Sequence, residues 1–331
     1  MLPMFKFKSS FVVHNAASDG LISVDGLEIK PHTKTNNGSH MVSVTYRFAT
    51  QSLPPDFFQH TKNIIERFLD VSSSNSTLVG FDVREVLEEF DVEIENWKEL
   101  LQAGVHPPTK ISFTFRNWSN WNKDFVQASW NWAKKLVTHK DAEILFRILR
   151  LLRQSMLEDD EYDRLSKIWR GFNAFYNHLA RNPQSSEIYK IRNFARSLCA
   201  TNSNWLKKAI EECWTPLPKP TTLRDYLTMA LLEGNYLSVM DCLIRQNFRD
   251  NRGRNHSQNL RSAVSAKDMM ATLENALLCV YVERNRVMHG ETISDKESGL
   301  LYICAAFLQR IVAIGLNQFY FIPLKASQPS P

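Results

Sequence analysis

The sequence is poor in the residues that mark several structural classes. Glycine (11 of 331 residues) and proline (13) are both scarce, which argues against a turn-rich β-barrel, a collagen-like chain or a long disordered linker. The five cysteines are odd in number and widely spaced, so they do not suggest a disulfide framework. We interpret them as reduced core residues of an intracellular protein: Cys199, Cys213, Cys242, Cys279 and Cys304.

Long apolar runs are also missing. No stretch approaches eighteen uninterrupted apolar residues, and the best candidate, Leu300 to Leu316, is short and contains Gln309 and Arg310. The first ten residues lack the apolar segment of a signal peptide. We therefore expect no membrane span and a cytoplasmic location.

The common cofactor and catalytic motifs are absent from the sequence. There is no Walker A loop, no G-x-G-x-x-G, no G-x-S-x-G, no H-E-x-x-H and no C-x-x-C. The nine histidines are scattered without the spacing of metal ligands. We expect neither a metal nor a cofactor.

The composition fits a globular protein with a mildly basic charge. Hydrophobic residues make up 44% and charged residues 23%, and the net charge is +5. A basic balance suits a nucleic-acid partner, but ordinary soluble proteins are as often mildly basic, so charge alone decides little.

The chain divides into two parts with different hydrophobic periods. In residues 1–130 apolar residues alternate, which predicts strands, and a helix is expected after Pro54-Pro55; the predicted strands cover 5–13, 20–29, 41–48 and 110–115. In residues 137–331 the period becomes that of helices, ending in two long helices at about 266–289 and 295–320. The fold class predicted is α+β, with a strand-rich N-terminal domain and an all-α C-terminal domain.

Residues 245–262 form the least core-like stretch of the chain. Five arginines face a single acid, Asp250, with almost nothing apolar to bury, and we expect a mobile basic loop. It is either a solvated surface loop or an arm whose Arg249, Arg252 and Arg254 grip RNA phosphates, because guanidinium pairs bidentately with phosphate oxygens.

The end of the penultimate helix gathers several polar groups. Arg284 falls on an apolar stripe with Leu273, Leu277, Val280 and Val287, where a structural helix would place leucine. A guanidinium there needs an anionic partner or an open cleft. Asn285, Arg286 and His289 lie on the adjacent face.

The spacing of Arg284 and His289 is weak evidence by itself. A histidine before glycine can simply close a helix, and roughly two chance matches to such a spacing are expected in this chain. Arg249 and His256 form another match, but we interpret that pair as fortuitous because it lies in the basic loop without helical context.

Arg284-Asn285-Arg286-Val287-Met288-His289 resembles the R-N-x-x-x-H signature of HEPN domains. The upstream IWRGFNAFYNHLA (168–180) is similar to the aromatic first helix of the HEPN group in bacterial defence proteins. The resemblance covers roughly residues 158–320 and implies a HEPN-like helical bundle for 137–331. It also implies a homodimeric, metal-independent endoribonuclease for antiphage defence or toxicity, acting on RNA and controlled by an antitoxin or trigger ligand.

The resemblance also assigns roles to individual residues. His289 would act as general acid and base, and Arg284 would stabilise the phosphorane. Asn285 would orient the imidazole or the phosphate, and Arg286 would be a secondary phosphate contact. Asn173 is the candidate polar support behind the site, or else a hydrogen-bonded core asparagine.

Two rival hypotheses remain at this point. One is a non-catalytic HEPN-like module that binds RNA or nucleotide through Arg284, Arg286 and the basic loop, although mere binding would not require His289. The other is a structural scaffold with a helical dimerisation domain. Residues 1–130 resemble no family. The HEPN resemblance of the second part implies that such an appended domain senses a trigger or contacts a partner.

Overall fold

The protein is described from a computed structural model in which two compact units divide the chain, Met1–Ala142 and Glu143–Pro331. The division follows Ala142, whereas the change in sequence texture lies between 130 and 137. The residues described are 5–14, 20–31, 41–50, 66–75, 77, 87–94, 112–116, 123–158, 160–180, 182–215, 238–288 and 295–320.

The first unit contains a six-stranded antiparallel sheet. Its strands are β1 (Phe5–His14), β2 (Ile22–Val24), β3 (Leu27–Pro31), β4 (Met41–Thr50), β5 (Leu87–Ile94) and β6 (Ser112–Arg116). Their order in the sheet is β2-β3-β4-β1-β5-β6. The sheet confirms the coarse α+β layout. Each predicted segment contains strand, but the segment 20–29 is divided between β2 and β3 by a turn, and β5 was not predicted.

A two-residue turn joins β2 to β3. Asp25 and Gly26 both have positive φ, 44° and 84°, the conformation that an Asp-Gly pair supplies at a tight hairpin. Lys134 pairs with the Asp25 carboxylate at 2.5 Å. The strand residues on one face of this hairpin are at most 5% exposed: Ile22, Val24, Leu27 and Ile29.

Two helical segments of the first unit pack together, residues 66–75 and α1 (Lys123–Leu136). Trp130 is 2% exposed, and its ring meets that of Phe68 edge-on, with centroids 5.6 Å apart. Asn75 donates to the Ser129 hydroxyl at 2.9 Å. The α1 helix was not predicted from sequence.

In the second unit the described residues form eight helices. They are α2 (Ala142–Leu157), α3 (Glu161–Leu179), α4 (Glu187–Ala200), α5 (Asn204–Glu212), α6 (Val239–Arg245), α7 (His256–Ser265), α8 (Met269–Met288) and α9 (Asp295–Tyr320). The two long helices predicted at about 266–289 and 295–320 are present, whereas the helix at 256–265 lies where part of the loop 245–262 was predicted.

Short polar residues begin five of these helices. Each side-chain oxygen accepts a hydrogen bond from a backbone N–H in the first turn, which satisfies a donor that the helix itself leaves without a partner. The capping residues are Asp160, Ser186, Ser203, Ser238 and Asn255.

Helix α9 is the central helix of the second unit. Its segment Gly299–Tyr320 has a mean hydropathy of 1.9 and the length to cross a bilayer, yet 89% of that segment is buried inside the protein. Two of its buried polar side chains have partners on other helices. Arg310 pairs with Glu212 at 2.8 Å, and Gln309 donates to Ser155 at 3.0 Å.

Four of the five cysteines are buried, as predicted for core residues, and Cys199 is half-buried; all five are free thiols. Burial raises the pKa of Cys213, Cys242 and Cys279 to about 12. These thiols are therefore protonated and unreactive at neutral pH.

Aromatic side chains of α3 and α4 fill the space beside α9. Phe194 meets Phe172 and Phe175 edge-on, with centroids 5.0 and 5.2 Å apart. Gly315 allows this approach, because a Cβ built there would lie 2.7 Å from Cε1 of Phe175 and 3.1 Å from Cζ of Phe194.

We predict that Gly315→Ala destabilises the protein by about 1–3 kcal/mol, the usual cost of overpacking a filled core. An exposed helical site would instead gain up to about 1 kcal/mol from the same change. Urea unfolding of the two proteins measures the difference. Gly171→Ala is the control, since its Cβ would meet Leu151 Cβ at 3.3 Å and should cost less. A stabilised Gly315→Ala protein would contradict the packing described.

Candidate functional site

The apolar stripe of α8 is buried as the sequence predicted. Leu273, Leu277 and Val280 are 0% exposed and Val287 is 7% exposed. Arg284 lies on the same stripe, between Val280 and Val287, and is half-buried. The helix therefore carries a guanidinium where its neighbours carry core hydrocarbon.

The Arg284 guanidinium is held by an aromatic ring and an amide. Its central carbon lies 5.6 Å from the centroid of the Trp169 ring, on α3. Its Nη1 donates to Oδ1 of Asn285 at 2.8 Å. Among the described residues no carboxylate lies within 4.0 Å of it. A guanidinium has five N–H donors, and cation–π contact leaves most of them available to a ligand.

Tyr176, also on α3, ties this cluster to α4. Its hydroxyl donates to Oε1 of Glu187 at 2.5 Å. Burial, followed by the Glu187 carboxylate, raises the pKa of Tyr176 well above its ordinary value, while the nearby Arg284 acts in the opposite direction. Tyr176 is thus a neutral donor within electrostatic range of Arg284.

Arg286 is joined to a carboxylate that sequence reasoning missed. Its Nη2 lies 3.0 Å from Oε1 of Glu283, which is 0% exposed. A buried carboxylate is tolerated when a cation pairs with it. The sequence does indicate the burial of Glu283, because this residue follows Ala276 and Val280 and precedes Val287 at helical spacing on the buried face.

The basic loop is a hydrogen-bonded turn and not the mobile loop that we predicted from its composition. The single acid organises it. Asp250 accepts from the backbone amides of Arg252 and Arg254, at 2.9 and 3.0 Å, and from Nε of Arg254 at 2.7 Å. A β-bridge joins Arg249 to Asn255. These bonds order the loop together with the buried side chain of Phe248, which is 4% exposed.

His256 was wrongly assigned to an unstructured loop. It is the first residue of α7 and is 0% exposed. Its Nε2 lies 3.4 Å from Oδ2 of Asp250. Burial lowers the pKa of His256, against the opposing effect of Asp250. The imidazole is therefore enclosed beside Asp250 and closed to solvent.

A groove of about 640 Å³ lies between the loop and α8. It brings together four residues that the sequence singled out: Arg249, Arg252, Asn285 and Arg286. Arg284 and Arg254 do not line it. The remaining lining residues are Ile188, Gln246, Asn247, Phe248, Asp250, Asn251, Tyr281, Val282 and Glu283.

The candidate RNA-binding arginines fall into two classes. Arg254 pairs with Asp250 at 2.6 Å and Arg286 with Glu283. In the described part of the chain, Arg249 and Arg252 have no carboxylate within 4.0 Å, although Nε of Arg249 donates to Oδ1 of Asn247 at 3.1 Å. Only the second pair can offer an uncompensated positive charge to a ligand.

Two other candidates stand apart from this geometry. Asn173 is half-buried on α3, where its side chain accepts a hydrogen bond from Nδ2 of Asn177. His289 lies outside the described residues, since α8 ends at Met288. Met288 itself is 43% exposed, and the Tyr162 hydroxyl lies 3.1 Å from its sulfur.

Comparisons with protein-family models, with curated proteins and with solved structures find no match to this chain. Among the described residues, no group of three or more His, Cys, Asp or Glu side chains is placed to hold a metal ion.

We predict that Asp250 stabilises the fold in a pH-dependent way. Burial alone would raise its pKa, but hydrogen bonds from Arg254 and Arg252 outweigh this and lower it from 3.8 to about 2. Because the folded-state pKa is the lower one, the stabilisation is complete above about pH 5 and is lost as the pH falls through 2.

The measurement is the free energy of unfolding of wild type and Asp250→Asn between pH 2 and 7. The wild type should be the more stable protein at neutral pH, and the gap should narrow below pH 4. Glu143→Gln, at an exposed carboxylate of α2, is the control. A gap that widens in acid would refute the assigned role.

Proposed function

We propose that the second unit is a HEPN-type, metal-independent endoribonuclease that acts in the cytoplasm, in antiphage defence or as a toxin. The observation that carries the proposal is Arg284, a cation on a core stripe that contacts Trp169 and Asn285 but no carboxylate of the described residues. It belongs to an R-N-x-x-x-H sequence and lies one residue from the groove-lining Asn285.

Arg284 would stabilise the transition state. In attack on a phosphodiester, the phosphorane carries more negative charge than the ground state, and a preoriented donor lowers the barrier because it needs no reorganisation. The Trp169 face and the Asn285 carbonyl oxygen supply this preorientation. The NH₂ group of Asn285 can then donate to the phosphate.

His289 would move the protons. As general base it takes the proton from the RNA 2′-OH, whose oxygen attacks phosphorus. As general acid it gives a proton to the departing 5′-oxygen, since imidazole titrates near neutral pH. The P–O5′ bond breaks, leaving a 2′,3′-cyclic phosphate and a 5′-OH. DNA lacks the attacking hydroxyl and should survive.

Arg249 and Arg252 would bind the RNA backbone next to this centre. Arg286 and Arg254 contribute less, since each is already paired with a carboxylate. The same groove also favours a second function, a non-catalytic RNA-binding module. That module would retain RNA with steep salt dependence but leave no cut product.

The proposed site is shared by two chains. In this type of enzyme two motifs meet at one cleft, and a guanidinium on an apolar stripe fits a helix end that meets a second copy. The first unit would then sense a trigger or bind an antitoxin that controls the dimer.

We predict that Arg284→Ala and His289→Ala each lower RNA cleavage by at least about a hundredfold, the usual loss when a charge-stabilising donor is removed. Purified proteins are incubated with total RNA in EDTA, and the product ends are mapped. Arg261→Ala, which removes an exposed arginine of α7, should cleave like wild type. Undiminished cleavage by either site variant would rule out this mechanism.

We also predict that cleavage requires a dimer. Specific activity should fall on dilution, in parallel with dissociation measured by sedimentation velocity. Arg284→Ala should still dimerise, which separates loss of chemistry from loss of assembly. Full specific activity in a demonstrably monomeric sample would contradict the shared site.

A further inference from the structure

The groove between the loop and α8 contains hydrogen-bonding groups that no other described residue uses. The amide side chains of Gln246 and Asn251 line it, and neither makes a side-chain hydrogen bond within the described part of the chain. Tyr281, half-buried, forms part of its wall. Asp250, by contrast, is fully occupied by Arg254 and the turn.

The charges of the groove are unevenly distributed. Three guanidiniums and two carboxylates line it, but Arg286 is paired with the buried Glu283. The positive charge that remains is on Arg249 and Arg252, which are exposed on the loop. One anionic group can therefore bind at the loop, while the rest of the groove suits a polar but uncharged group.

The volume limits the ligand to one small unit. A groove of about 640 Å³ lies in the range of roughly 300–1,000 Å³ that takes one small molecule. A stacked base pair of a duplex cannot enter it, whereas a splayed, unpaired nucleotide can. Such a nucleotide offers an anion, a flat apolar ring and a polar edge.

We propose that this groove is a nucleotide-selecting subsite that takes one unpaired adenine nucleotide of the RNA strand. Arg249 and Arg252 bind its phosphate, Tyr281 packs against the base, and the amides of Gln246 and Asn251 bind the base edge. An amide presents one donor and one acceptor, the pattern that matches adenine N6 and N7. The subsite rests on the proposed function for its substrate, since the same strand must reach Arg284.

The test uses full-length protein and labelled 2′-O-methyl pentanucleotides UUXUU, in which X is A, C, G or U. The methylated 2′-oxygen cannot attack phosphorus, so binding is measured whether or not the protein is a nuclease. Fluorescence anisotropy of wild type should show UUAUU bound about tenfold more tightly than UUUUU, the value of one amide–adenine pair.

Matched variants separate base reading from phosphate binding. In Gln246→Ala with Asn251→Ala, the preference for adenine should fall towards one while UUUUU binds as before. In Arg249→Ala with Arg252→Ala, all four probes should bind more weakly, with a shallower salt dependence. Arg147→Ala, which removes an exposed arginine of α2, should change neither, and thermal unfolding verifies that each variant is folded.

The outcomes separate this inference from the nuclease proposal. Adenine preference that is lost with the two amides supports the subsite even if natural RNA is not cut, in which case only the nuclease mechanism fails. Equal binding of all probes, or none, overturns the subsite even if RNA is cleaved. A guanine preference also overturns it, because arginine and not an amide would then read the base.

Discussion

A positive charge in a hydrocarbon stripe is the constraint on which the candidate site depends. Leucine at position 284 would simply extend the core face of α8, and the helix would be more stable for it. The chain instead carries a guanidinium, which Trp169 and Asn285 hold without neutralising it. Aromatic packing between α3 and α4 holds the Trp169 ring in place. This ring in turn positions the guanidinium of Arg284. Among the described residues the guanidinium thus has a defined position and no carboxylate partner, which are the properties of a preoriented donor for negative charge.

Carboxylates decide which of the other arginines are available. Glu283 pairs with Arg286, and Asp250 pairs with Arg254. Each pair also holds its part of the chain in place. Glu283 lines the groove and is also buried in the core. Asp250 turns a basic stretch with little apolar content into a defined loop. Net charge per segment therefore overstates the charge that a ligand would meet, because only Arg249 and Arg252 remain uncompensated among the described groove residues.

Periodic apolar patterns allowed most of the layout to be predicted. The long helices α8 and α9 and the strands β1 and β4 show strong periods, and their existence followed from sequence. Strand β5 was missed because four of its eight residues, LEEFDVEI, are acidic and depleted in strands. Helix α1, which contains Trp130 and Trp132, was also not predicted. The order of the basic loop could not be read from composition, since it depends on three hydrogen bonds to one carboxylate. The burial of Glu283 was not predicted, because glutamate side chains are usually exposed unless a cation pairs with them.

Two adjacent residues of helix α4 make different contacts. Ile188 lines the groove, while its neighbour Glu187 accepts the hydrogen bond of Tyr176, within electrostatic range of Arg284. One peptide unit thus separates the wall of the groove from the aromatic support of the guanidinium. Tyr176 in turn meets the Trp169 ring edge-on, with centroids 6.5 Å apart. The groove wall is therefore connected to the ring beneath the Arg284 guanidinium through two side chains, Glu187 and Tyr176.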